Sequence, residues 1–141
     1  MSRVYVCIEK IYKLYIYIYK AELQKKYGSE GFSVLAFPIK DFNQELGSNE
    51  EIISFMDENF PQVDFPLFSL SSLKENPVYQ KLHKQKPDNH IKWNFYKFLI
   101  DWNGQVVEFY DKKVSPMQIS DQIEQLLDEA SKTGGAKLVT S

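Results

Sequence analysis

The chain has 141 residues, 43% of them hydrophobic and 26% charged, and a formal charge of -2. That fits one ordinary globular domain with a real core, and it offers no cationic footprint for nucleic acid. The only cysteine, Cys7, excludes an internal disulfide and suits a reducing compartment.

No apolar run approaches the roughly 18 residues of a membrane span. Glu9, Lys10 and Lys13 break the apolar opening, so the start lacks a signal-peptide layout. A cytoplasmic protein is expected. Val4-Tyr5-Val6-Cys7-Ile8 reads as a short strand. Residues 11–20 carry two conflicting patterns. Ile11, Leu14, Tyr15 and Ile18 share a helical face, yet Tyr15-Ile16-Tyr17-Ile18-Tyr19 is β-branched and aromatic throughout. With no charge and no proline, that window also has the signature of an aggregation-prone segment.

Residues 21–27 read as helix, with Gly28 at its C-cap. Phe32-Ser33-Val34-Leu35-Ala36-Phe37 is an apolar run that needs cover on both faces. It is expected at the centre of a sheet, beside a hairpin of residues 97–100 and 106–110 turning at Asn103-Gly104. Ser48 and Glu51 form a capping box for a helix to about Phe60, with Ile52, Ile53, Phe55 and Met56 as its buried stripe.

Residues 65–68 are short and extended. Asn76-Pro77 opens a small helix through Leu82, and 84–90 read as a loop holding Pro87. Ser115-Pro116 starts a last helix with Ile119, Ile123, Leu126 and Leu127 on one face. Beyond Ala130, Gly134-Gly135 mark a flexible tail. His83 and His90, seven apart, read as lying in a loop region without a cysteine partner, so no metal site is expected.

Several segments, in order, resemble the glutathione peroxidase family, in its phospholipid-hydroperoxide and thiol-peroxidase branch. They are Gly31-Phe32-Ser33-Val34-Leu35-Ala36-Phe37-Pro38, then Gly47-Ser48-Asn49-Glu50-Glu51-Ile52, then Asp64-Phe65-Pro66-Leu67-Phe68 and Pro77-Val78-Tyr79. The most specific is Ile91-Lys92-Trp93-Asn94-Phe95-Tyr96-Lys97-Phe98-Leu99-Ile100-Asp101, followed by Asn103-Gly104-Gln105-Val106-Val107. The resemblance starts near Glu22 and ends near Leu127.

It implies an α/β chain with a thioredoxin-like fold, a central mixed sheet flanked by helices. The family's usual N-terminal hairpin and first core strand are expected to be missing. The expected organisation is an atypical segment at 1–20, a peroxidase-like domain at 21–130 and a tail at 131–141. The TA-repeat character of a codon run for Tyr15 to Tyr19 suggests a misassembled origin for the opening segment.

The family activity implied is reduction of hydrogen peroxide and organic or lipid hydroperoxides, with glutathione or thioredoxin as reducing co-substrate and no cofactor. A thiolate or selenolate attacks the peroxide and becomes a sulfenic or selenenic acid, which thiols then reduce. A Gln, a Trp and an Asn surround it with hydrogen-bond donors. Trp93 and Asn94 match that pair, and both side chains carry donors of the needed kind.

The other two positions differ. Asp41 occupies the glutamine place, where a carboxylate disfavours an ionised thiol, and Gln44 falls elsewhere in the loop. Counting back from Gly28 puts Lys10 at the nucleophile position. Cys7 stands three residues early, about 4.5 Å if the segment is helical, and reads as a buried strand cysteine.

Phe109 stands where an Arg is common, and residues 70–76 are short where tetrameric relatives carry an oligomerisation loop, so a monomer is expected. The leading expectation is a family member with weak or no activity. Two readings stay open beside it: a thiol peroxidase using Cys7 in a shifted register, and a non-catalytic binding module.

Overall fold

The computed structural model describes residues 4–9, 14–43, 45–92 and 95–140, with side chains from Lys20 to Lys132 within those ranges. In chain order they form β1 (Val4–Glu9), α1 (Leu14–Tyr27), a 3-10 turn (Gly28–Glu30), β2 (Phe32–Phe37), α2 (Asn49–Asn59) and α3 (Pro77–Gln85). Then come β3 (Lys97–Ile100), β4 (Val106–Tyr110), a second 3-10 turn (Pro116–Ile119) and α4 (Ser120–Thr140).

The strands make one mixed sheet in the order β2-β1-β3-β4. β1 runs parallel to β2 and antiparallel to β3, which pairs antiparallel with β4. Two expectations change here. β2 does not adjoin the hairpin, because β1 lies between them. Val4–Glu9, a strand as expected, is thus central to the sheet, where the family's first core strand was expected to be missing.

β2 is nevertheless buried along nearly its whole length. Phe32, Val34 and Ala36 pack with Leu23 and Tyr27 of α1, Ile52 and Met56 of α2, and Ile119, Ile123 and Leu127 from the C-terminal end. Phe37 joins Leu82 of α3 and Phe98 and Ile100 of β3 in a second cluster. Alternation along the strands therefore feeds two cores, one on each sheet face.

The outer edge of β2 is covered too. Ala36 N–H donates to the Pro66 carbonyl at 3.1 Å, and Phe68 N–H to the Ala36 carbonyl at 2.9 Å. Further back, the Gln24 side chain accepts from Val34 N–H at 2.9 Å and donates to the Phe32 carbonyl at 3.5 Å. A side chain here does what a strand would otherwise do.

The conflicting run at 14–19 is helix, continuous with the rest of α1. Helix continuity overrides strand propensity there. Gly28 does not cap α1 in the left-handed region. The chain makes a 3-10 turn first, and Gly31 takes φ 102°, a value that favours glycine.

At α2, Ser48 Oγ accepts from Glu51 N–H at 3.2 Å, and Glu51 reaches back to Gly47 N–H at 3.0 Å. A cap of this kind contributes about 1 kcal/mol. Ile52 and Met56 face the core, but Ile53 is 53% exposed and leaves the expected stripe. Asn76 caps α3 by accepting from Tyr79 N–H at 3.0 Å. α4 continues to Thr140, through the segment read as a tail.

The hairpin turns as expected, with Gly104 at φ 79° and Asp101 Oδ1 accepting from Asn103 and Gln105 N–H at 2.9 and 3.0 Å. Gln85 ties it to α3, donating to the Gly104 carbonyl at 2.9 Å and accepting from Val106 N–H at 2.8 Å. On β4, the Tyr110 hydroxyl is buried with no hydrogen-bond partner among the described residues. Such an unsatisfied group is costly, so Tyr110→Phe is expected to stabilise the fold by about 1 kcal/mol. A urea midpoint unchanged or lowered in the variant would contradict this.

Candidate active site

Parallel pairing brings the last residues of β1 and β2, Glu9 and Phe37, to the same end of the sheet. Antiparallel β3 starts at that end, with Ile8 opposite Lys97. The ends of β1 and β2 and the start of β3 therefore lie at one end of the sheet. Open α/β sheets bind ligands beyond the carboxyl ends of their strands. By sequence alone, Lys10, Asp41 and the Trp93-Asn94 pair belong to the segments joined to these strand ends; Lys10, Gln44, Trp93 and Asn94 lie outside the described residues.

Cys7 does not belong to them. Its backbone lies within β1, in register with Leu35 on one side and Phe98 on the other. Both register partners pack in the second core cluster. From Cys7 the chain continues as strand to Glu9, two residues that already cover roughly 7 Å in extended form. That span alone exceeds the helical figure for three residues.

Asp41 is exposed, and its Oδ1 accepts from Leu73 N–H at 2.9 Å. The carboxylate thus anchors residues 72–73 to the loop after β2. Phe109 stacks among aromatic rings, 4.8 Å from Phe98 and 5.5 Å from Tyr96 between centroids. Phe109 thus packs within an aromatic cluster and offers no cation there.

His83 lies in α3, not in a loop, and its ring sits 5.0 Å from that of His90. Among the described residues, no three His, Cys, Asp or Glu side chains are grouped to hold a metal ion.

Two features at this edge escape the sequence reading. Phe95, directly after the Trp93-Asn94 pair, has φ 68°, a region that costs a residue with a Cβ about 1–2 kcal/mol. It is held by two lysines that are themselves buried. Lys97, 1% exposed, donates from Nζ to the Phe95 carbonyl at 2.6 Å and to the Asp111 carbonyl at 3.2 Å. Lys20, fully buried, places Nζ 5.7 Å from the centroid of the Phe95 ring, within cation–π range.

Burial pushes the Lys97 ammonium down to about 8, against the opposing pull of the Asp111 charge. The signal available in sequence was a lysine opening an otherwise apolar strand. That pattern reads first as an exposed strand boundary.

A family model for glutathione peroxidase matches residues 13–83. The match begins upstream of Glu22, so it includes residues 13–20. The glutathione peroxidase-like peroxiredoxin HYR1 of Saccharomyces cerevisiae is 42% identical over 115 residues, 76% of this chain and 70% of that protein. The chain belongs to the glutathione peroxidase family.

The family's bacterial side is represented by the glutathione peroxidase homolog BsaA of Halalkalibacterium halodurans, 42% identical over 112 residues, 74% of this chain and 71% of that one. In structure, this family member superposes on T. cruzi GPX1 with a TM-score of 0.68 at 26% identity, covering 90% of this chain and 83% of that one. A thiol:disulfide interchange protein of the thioredoxin family from Chlorobium tepidum TLS follows at TM-score 0.66 and 14% identity, covering 89% and 81%. That likeness shows the thioredoxin-like fold alone.

Proposed function

We propose that this chain is a glutathione peroxidase scaffold that keeps the family's donor segment and has little or no peroxidase activity of its own. The carrying observation is the place of Cys7 inside the central strand, between Leu35 and Phe98. Peroxide reduction needs an ionised, accessible sulfur that takes one peroxide oxygen and becomes a sulfenic acid, while the other oxygen leaves as water or an alcohol. A thiol position inside a fully paired strand is poorly suited to meet peroxide.

Trp93, Asn94 and Asp41 then mark the site edge rather than a working centre. A peroxide and a thiol such as glutathione or thioredoxin are the substrates it would take. A monomeric, cytoplasmic protein fits the single thiol and the short 70–76 segment. Among the described residues, no helix is long and apolar enough to cross a membrane.

A thiol-coupled assay with hydrogen peroxide and a lipid hydroperoxide tests the proposal. The chain and Cys7→Ser are expected to show the same low background. A substantial rate that disappears in Cys7→Ser would establish a working peroxidase and overturn the reading.

A further inference from the structure

We propose that Lys20 and Lys97 form a buried clamp on Phe95 that sets the backbone joining the Trp93-Asn94 pair to β3, which makes both lysines positioning residues for that pair. Phe95 is the hinge of the argument. It is 7% exposed, it follows Asn94 directly, and it sits at φ 68°. A phenylalanine keeps such a backbone only where its surroundings over-determine it.

The surroundings do so from two elements. Lys97, the first residue of β3, hydrogen-bonds the Phe95 carbonyl. Lys20, on α1, offers its ammonium to the Phe95 ring. Lys97 also reaches the carbonyl of Asp111, just beyond β4, so one amine ties the entry of β3 to the exit of β4.

Charge burial is what makes this more than packing. A methionine would fill a slot of similar length at no desolvation cost, but it could donate to neither carbonyl. An ammonium at 1% exposure is therefore best explained by the bonds it makes. Among the described residues, titratable neighbours of the clamp include Tyr110, the register partner of Lys97 on β4, and Asp111; Lys20 joins them through Phe95. The inference takes the role of Trp93 and Asn94 from the proposed function, but its test does not use activity.

The chain has two tryptophans, Trp93 and Trp102, so Trp102→Phe leaves Trp93 as the sole emitter. In that background, Lys97→Met and Lys20→Met are each expected to change acrylamide quenching of Trp93 by about twofold, with far-UV circular dichroism retained. The parent emission is expected to titrate in the weakly alkaline range, and Lys97→Met to abolish that step. Unchanged quenching in folded Lys97→Met overturns the clamp. Should that variant not fold, a parent emission that is flat over the same range overturns it.

Two results separate this inference from the proposed function. A flat Trp93 signal together with a real activity gain in Lys10→Cys would sink the clamp and leave the scaffold reading standing. A shifted signal together with a substantial parent rate that Cys7→Ser abolishes would do the reverse.

Discussion

Lys10→Cys is expected to raise thiol-coupled peroxide reduction about tenfold or more above the parent, since a correctly placed thiolate is worth orders of magnitude in rate. Residue 10 is the next in sequence after β1, whose end lies at the same end of the sheet as the end of β2 and the start of β3. The gain should appear equally in the double variant carrying Cys7→Ser, because Cys7 takes no part. A rate that stays at background in a folded Lys10→Cys chain would mean that the donor segment is not aligned on residue 10. The exposed Asp41 then becomes the next position to revert, although its carboxylate also holds Leu73 N–H.

The second large effect concerns stability against pH. Lys97 has its folded-state value lowered to about 8 from 10.5. Below about pH 8 the amine is protonated whether the chain is folded or not, and it contributes no slope. Between there and 10.5 the unfolded chain binds the proton more tightly than the folded one, so stability rises with pH. Tyr110 acts in the opposite sense, because burial and the Glu108 charge raise it to about 12 from 10.0.

The unfolded chain loses the phenol proton first, and stability falls as pH climbs from 10 toward 12. A maximum near pH 10 follows, with a gain of roughly 2 kcal/mol over neutral pH. Urea unfolding of the parent and of Lys97→Met across this range measures it. The rising limb should vanish in the variant. A rise of equal size in both chains would assign it to something other than Lys97.

The parts of the fold legible in the sequence are those that local chemistry fixes. Ser48 and Asn76 cap their helices as read, Asn103-Gly104 turns the hairpin, and the apolar run from Phe32 to Phe37 is a strand covered on both faces. Strand order was not legible, because nothing in Val4–Glu9 says that it will enter between β2 and β3. That pairing depends on α1 carrying the chain across a sheet face. The Tyr and Ile run could not be settled either, since strand propensity and helical spacing point opposite ways over 15–19.

At the site edge, the motif named Trp93 and Asn94, and counting named Lys10. Sequence could not reveal that two lysines bury themselves around Phe95. Each looks like an exposed cation until the third dimension places a carbonyl or a ring beside it.

The treatment of β2 by Gln24 bears on how copies of this protein can associate. Polymerisation by strand addition needs two open rims per sheet, one to receive and one to offer. On the β2 side, Gln24 occupies the Val34 amide and the Phe32 carbonyl, and the Pro66 carbonyl and Phe68 amide occupy Ala36. Among the described residues, the open rim is β4, where Val107 and Glu108 are exposed. A sheet with one open rim is a chain terminator: two copies can join through it, and a third finds nowhere to add.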